Sequence, residues 1–246
     1  MSKSEQSSPV VLVSGASSGI GEAICRLLVE QTYRVVGAAR NESRLQQLAA
    51  GLGERFYPLV LDVTDAAAVA GVQQELPRVF NNIEVLVNNA GHDIGGRRLF
   101  DEGSAEQWCN IIETNVQGTI RLTRALIEGM LARGSGHIVN MGSIAGINSY
   151  ATMTAYVSSK YAVHGFSETL RLDYAGRRIR VTEIMPGLVR TGFAQQRLGD
   201  VQQARDFYDD ADQYLQPEDV ARTVLYALQQ PKHVEIAQLV VLPVSQ

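Results

Sequence analysis

Apolar residues are distributed along this chain in two ways. Short unbroken runs alternate with longer stretches in which apolar positions recur every three or four residues. The runs lie at 10–13, 34–39, 56–63, 83–87, 137–141, 179–185 and 235–242. Unbroken rather than alternating runs predict strands covered on both faces. Between them, Ile20, Ala23, Ile24, Leu27 and Leu28 share one face of a helix over 20–30. Ser104 opens a longer helical pattern through Trp108, Ile111, Ile112, Val116, Ile120, Leu122 and Leu126 to Met130. Ser104 and Gln107 have capping-box spacing, which supports a helix start there. A third helix is expected over about 150–174. The alternation predicts an α/β fold, a Rossmann-like doubly wound parallel sheet of seven strands in one domain. That domain is expected to span 9–246 behind a flexible N-terminus (1–8), with no internal repeat. The stretch 186–216 has few periodic apolar positions, so a substrate loop is expected at about 187–216.

Composition narrows the class. The 246 residues are 45% hydrophobic and 20% charged, which excludes a fibre or a disordered chain. A net charge of −4 and a pI near 5.6 argue against nucleic acid or an anionic membrane surface as partner. The first nine residues are polar, and no apolar run approaches the roughly 18 residues of a membrane span. Cys25 and Cys109 have no CxxC or ligand spacing, so neither a disulfide nor a metal site is expected. A cytoplasmic protein is expected. Lysine supplies only three of the 22 positive charges, at Lys3, Lys160 and Lys232.

The first strand runs into Ser14-Gly15-Ala16-Ser17-Ser18-Gly19-Ile20-Gly21. Glycines there let the backbone approach a pyrophosphate, and the following helix offers free N–H groups and a positive dipole end. The spacing is GxxxGxG, so a plain tight strand-to-helix turn is the competing reading. The second strand ends at Ala38-Ala39-Arg40. NAD sites place an acid here for the ribose 2′-hydroxyl, whereas arginine suits a 2′-phosphate. Arg40 is therefore either an NADP selector or a solvated cation.

Tyr156 and Lys160 stand at i and i+4, on one face of a helix. A nearby cation favours phenolate and lowers the tyrosine pKa. Ser143, just after the fifth strand, can hydrogen-bond the same substrate oxygen, or be a turn residue. Asn115, a poor helix former inside a helical pattern, offers a carbonyl that could hold a water in line with the lysine.

Taken together, SGASSGIG (14–21), LDV (61–63), NNAG (88–91), Asn115, Ser143, YVSSK (156–160) and PGLVRT (186–191) resemble the short-chain dehydrogenase/reductase family. The resemblance covers about 10–243. It implies NADP(H) as cofactor, lined by Gly15, Ser17, Ser18, Gly19 and Ile20 at the pyrophosphate, with Arg40 at the 2′-phosphate. Asp62 and Val63 would face the adenine, and Asn89 would sit beside its ribose. Tyr156 and Lys160 would meet the nicotinamide ribose, and Pro186, Gly187 and Thr191 the nicotinamide, with Ala90, Gly91 and Val189 also in the cofactor site. Asn115, Ser143, Tyr156 and Lys160 are the implied catalytic set. The chemistry implied is hydride transfer to or from a small carbonyl or alcohol, in a homodimer or homotetramer.

The C-terminal half resembles the branch of NADP-dependent 3-hydroxy acid, serine and sulfoacetaldehyde reductases. Arg197 is the corresponding candidate for a carboxylate or sulfonate. His92, Tyr150, Met153 and Phe193 are expected to enlarge the pocket, and with the bulky His92-Asp93 they keep a cyclic or aromatic aldehyde or ketone open, as in clavulanate-type dehydrogenases. His92 is expected as a wall residue, because Tyr156 already fills the acid/base role. A non-catalytic NADP-binding regulator is the reading from another class.

Overall fold

The computed structural model describes residues 8–95, 98–200, 202, 206 and 214–245. The strands are β1 (Val10–Ser14), β2 (Arg34–Ala39), β3 (Phe56–Val60), β4 (Ile83–Asn88), β5 (Gly136–Met141), β6 (Ile179–Pro186) and β7 (Gln238–Val241). They form one parallel sheet in the order β3-β2-β1-β4-β5-β6-β7. The helices are α1 (Gly19–Glu30), α2 (Glu42–Leu52), α3 (Ala66–Ala70), α4 (Ala105–Ile112), α5 (Gly118–Arg133), α6 (Thr154–Asp173), α7 (Phe193–Leu198) and α8 (Pro217–Gln229). Most of the expected N-terminus (1–8) lies outside the described residues, as do 201, 203–205 and 207–213 of the expected substrate loop.

Successive residues of a strand face opposite sides, and β1 shows the result. Val11 and Val13 pack with Ile24 and Leu28 of α1, Leu45 of α2 and Val224 of α8. Val10 and Leu12 pack with Leu122 and Leu126 of α5 and Leu170 of α6. Each face thus has its own apolar core, which is why the strands read as continuous apolar runs. Strand order reverses between β1 and β4, and in such sheets ligands bind beyond the C-terminal strand ends at that point.

Several boundaries differ from the sequence pattern for local reasons. β3 stops at Val60 because Asp62 turns back on itself, its Oδ1 accepting from Thr64 N–H at 2.9 Å. β7 starts at Gln238 because the Glu235 carboxylate, rather than a strand carbonyl, accepts from Val181 N–H at 2.8 Å. The third helix starts at Thr154, so Tyr150 sits in the preceding turn. The capping box of Ser104 and Gln107 is present in both directions.

The largest departure is in the long helix from Ser104. It is interrupted by a π turn over Glu113–Gln117. A π turn holds one more residue than an α turn, so the buried face shifts phase. Asn115, Gly118 and Thr119 are buried, while Ile120, expected on the apolar face, is exposed and Val116 half-buried.

Candidate active site

A cleft of about 1050 Å³ opens along the C-terminal ends of β1, β2, β4, β5 and β6. Its cofactor half starts at the turn after β1. Gly15 has φ +69°, and a Cβ there would meet Asn89 Nδ2 at 2.9 Å. A Cβ on Gly21 would meet the Gly15 carbonyl oxygen at 2.2 Å. The turn therefore closes only with glycine at both positions. Ser14 fastens it to the end of β4. Its Oγ accepts from Asn89 N–H and Ala90 N–H, both at 3.0 Å, and Asn89 Nδ2 donates to the Ser14 carbonyl at 3.0 Å. The Ser18 side chain makes no cap bond on α1, which leaves the first-turn N–H groups facing the cleft.

At the far end, Arg40 is 70% exposed, with Nη1 3.9 Å from Asp62 Oδ2. Burial works against ionisation of Asp62. The two Thr64 hydrogen bonds and then Arg40 outweigh it, so the carboxyl sits below its usual range. Arg44 lines the same corner, a second cation that the sequence pattern did not single out. A closely approached glycine turn, an open helix N-terminus and a pair of guanidiniums fit a dinucleotide with a 2′-phosphate.

The reacting half is built from β5, α6 and the segment after β6. Ser143 caps a 3₁₀ turn (Ile144–Gly146), its Oγ accepting from Ala145 N–H at 3.1 Å, and its hydroxyl lies on the Tyr156 side of the cleft, where it favours the ionised phenol. Burial pushes the Tyr156 pKa up to about 12, with Arg197 and Ser143 opposing the rise. This corrects the expectation that Lys160 lowers it. Lys160 Nζ instead donates to the Met141 carbonyl at 2.8 Å and lies 5.7 Å from the phenol ring centroid. The cation acting on the phenol is Arg197, 5.6 Å from that centroid. Burial lowers the Lys160 pKa to about 8.

All the sequence-chosen cofactor and substrate residues line this one cleft: Gly15, Ser17, Ser18, Gly19, Ile20, Arg40, Asp62, Val63, Asn89, Ala90, Gly91, Ser143, Tyr156, Lys160, Pro186, Gly187, Val189 and Thr191, with His92, Tyr150, Met153, Phe193 and Arg197. Asn115 is the exception, buried beneath the cleft wall. Its Oδ1 accepts from His92 N–H at 2.9 Å, and its Nδ2 donates to the His92 carbonyl and to Ser159 Oγ, both at 3.0 Å. Ser159 in turn donates to the Tyr156 carbonyl at 2.7 Å. The main-chain carbonyl of Asn115 accepts from Thr119 Oγ1 at 2.9 Å. The π turn thus hooks onto the first turns of α6.

His92 is a wall residue in this geometry. Its Nδ1 accepts from Ile94 N–H at 3.3 Å, which leaves the proton on Nε2, 3.1 Å from Thr114 Oγ1. Burial and then Arg40 hold its pKa below the usual value.

Sequence reasoning read Asp93 only as bulk beside His92 and missed its charge. It is buried and meets Arg197 Nε at 2.6 Å. Arg197 also lies 5.4 Å from the Phe193 ring centroid, and that ring packs edge-on against Tyr156 at 5.8 Å. Arg197, expected as an open anion contact, is therefore ion-paired within the protein.

Comparison with known proteins agrees with this geometry. Residues 9–202 match the short chain dehydrogenase family, and the chain belongs to it. It is 41% identical over 239 residues to the NADP-dependent 3-hydroxy acid dehydrogenase YdfG of Escherichia coli (strain K12), covering 96% of each chain. Identity to a probable NADP-dependent dehydrogenase of Haemophilus influenzae is 39% over 237 residues, covering 96% of this chain and 93% of that one. Among solved structures, the closed form of serine dehydrogenase complexed with NADP+ superposes with a TM-score of 0.93 at 40% identity, with 96% of each chain covered.

Proposed function

We propose that this oxidoreductase, whose cofactor is NADP(H), interconverts a small 3-hydroxy acid, or a related acidic alcohol, with its carbonyl. The observation that carries the reading is the convergence of Ser143, Tyr156 and Lys160 on one cleft wall, with Arg197 over the Tyr156 ring. The first-turn N–H groups of α1, with Gly15, Ser17, Ser18, Gly19 and Ile20, hold the pyrophosphate, and Arg40 the 2′-phosphate. Asp62, Val63, Asn89, Ala90 and Gly91 line the adenosine. Pro186, Gly187, Val189 and Thr191 flank the nicotinamide, which supplies or accepts the hydride when bound.

Tyr156 is the proton donor in reduction. With its pKa held near 12 the phenol stays protonated, so it can donate to the carbonyl oxygen as negative charge develops there. Ser143 donates a hydrogen bond to the same oxygen. Lys160 holds the nicotinamide ribose with the ammonium protons not given to the Met141 carbonyl, while Arg197 is the cation that favours phenolate once the proton has left. Asn115 fixes the start of α6 through Ser159.

One observation favours a second reading. Asp93 neutralises Arg197, and Ile94, Tyr150, Met153 and Phe193 give the pocket an apolar and aromatic lining. An uncharged cyclic or aromatic aldehyde or ketone suits that surface. A panel of acidic, cyclic and aromatic carbonyls with NADPH, followed by loss of the reduced cofactor's absorbance, separates the two. Absence of turnover across the panel would favour a regulator instead.

We further infer a homodimer or homotetramer in the cytoplasm. Ile120 on α5 and Tyr161 and Leu172 on α6 are exposed apolar side chains suited to a subunit interface. No helix among the described residues is long and apolar enough to cross a membrane.

A further inference from the structure

A row of polar side chains crosses the sheet beneath α6. Asn88, Asn140, Glu183 and Gln238 stand in register on β4, β5, β6 and β7. The amide nitrogens of the first two are satisfied, although Asn88 Oδ1 has no hydrogen-bond partner among the described residues. Asn88 Nδ2 donates to Asn140 Oδ1 at 2.9 Å and to Thr123 Oγ1 at 3.0 Å, while Asn140 Nδ2 donates to Ser167 Oγ at 2.9 Å. Glu183 differs, because it is an acid with no exposed surface. Its Oε2 meets His164 Nδ1 at 2.8 Å. Its Oε1 has no hydrogen-bond partner among the described residues. A fully buried carboxylate in that condition is costly unless a further charge compensates it.

The compensating charge is close by. A Cβ on Gly142 would come within 2.2 Å of Glu183 Oε1, so the carboxylate presses on the Met141–Gly142 segment. The Met141 carbonyl is the group that accepts from Lys160 Nζ. The buried acid and the buried ammonium therefore flank one peptide unit, immediately before Ser143. We propose that Glu183, held by His164, is a positioning residue of this enzyme, the buried counter-charge that keeps Lys160 an ammonium ion.

The surroundings support this assignment. The charged and titratable groups facing Glu183 from α6 are Lys160, His164 and Glu168, whose Oε2 lies 3.7 Å from His164 Nε2. Among the described residues, its register partners on β5 and β7 are Asn140 and Gln238, and Gly142 follows β5 beside it, all neutral. Burial drives Lys160 toward the neutral amine, and Glu183, followed by Asp93, opposes that drive. Burial raises the Glu183 pKa above the usual carboxylate range, and His164 is the largest influence opposing that rise. Losing that donor would move the acid further toward its protonated, uncharged form.

The proposal rests on the role of Lys160 given above, so its test needs a readout independent of turnover. The chain has three lysines, Lys3, Lys160 and Lys232, and the Lys160 midpoint can be followed from the ¹³Cε resonances of the whole protein. Glu183→Gln is expected to lower that midpoint by about one pH unit or more, the size expected when a close opposite charge is lost. His164→Ala should do the same, and since this side chain is partly exposed the variant keeps the test available if Glu183→Gln does not fold. His164→Asn places an amide nitrogen where Nδ1 was and should restore the wild-type midpoint.

Carbonyl reduction needs the ammonium, so the alkaline limb of kcat/KM should move down by the same interval in the first two variants. An unchanged midpoint and limb in both, even with a uniform loss of turnover, would overturn the proposal and leave the pair as packing. A shifted midpoint in a protein that reduces no carbonyl would uphold the counter-charge and overturn the functional reading instead.

Discussion

Asp93 and Arg197 meet at 2.6 Å beside the ring of Tyr156, tying α7 to the loop that follows β4. Both side chains are buried, so their charges interact across little water. An acidic substrate would have to share or displace Asp93 to reach the guanidinium.

Asp93→Asn should therefore lower KM for an acidic aldehyde by about tenfold and leave a neutral aldehyde of similar size nearly unchanged. Arg197→Ala should raise KM for the acid strongly, since losing a buried charge partner typically costs about 2–5 kcal/mol. Steady-state kinetics with both aldehydes checks this. Equal effects on the two substrates would make the pair a latch on α7 rather than a selector of charge.

Tyr156→Phe keeps the ring, and with it the edge contact to Phe193, while removing the proton. Turnover should fall on the order of 10²–10⁴-fold, with NADPH affinity retained. Single-turnover kinetics and fluorescence titration of NADPH measure the two effects separately. Near-normal turnover would remove Tyr156 from the acid/base role.

Arg40, the proposed 2′-phosphate contact, is an exposed side chain and so open to redesign. Ala39→Asp with Arg40→Ala should reverse a preference for NADPH over NADH. Losing the charge-assisted contact to the 2′-phosphate is worth about 1.5–3 kcal/mol, or roughly ten- to a hundredfold. The ratio of kcat/KM for the two cofactors is the readout. Retention of the preference would point to Arg44 as the stronger phosphate contact.

His137 gives the protein an acid-sensitive core. It is buried on β5 with Nε2 2.8 Å from Thr182 Oγ1, and burial lowers its pKa to about 3, with Arg180 adding to the fall. The unfolded chain binds this proton near the ordinary value of about 6.5. Its contribution is thus complete above that value and is lost as pH falls toward about 3. Thermal unfolding of wild type and His137→Gln across this range should diverge, with a difference in slope approaching about 1.4 kcal/mol per pH unit. Parallel curves would show that His137 takes up its proton without opening the fold.

The sheet was legible because each strand is apolar on both faces, so even single runs announced a buried parallel strand. The cofactor turn and the Tyr156–Lys160 spacing were legible because both are local, set by residues within a few positions of one another. The Arg197–Asp93 pair was not, since nothing in either segment marks the other as its partner. The direction of the Tyr156 shift was misjudged for a related reason. An i, i+4 spacing puts Lys160 on the right face of α6 but says nothing of the Met141 carbonyl that draws its ammonium away. The row Asn88, Asn140, Glu183 and Gln238 was equally hidden, because sheet register brings together residues from four separate runs.

The π turn at Glu113–Gln117 has a consequence for how this chain can vary. Each residue advances a helix by about 100°, so the turn acts as a one-residue insertion between α4 and α5. Replacing side chains in it leaves that count intact. Deleting one residue does not. The helix would close into a regular spiral, Asn115 would swing away from Ser159 and His92, and either α4 or α5 would present the wrong stripe to the sheet. Positions of this segment other than Asn115 and Thr114 are open to exchange of side chain, but its length is a fixed reading frame for the site.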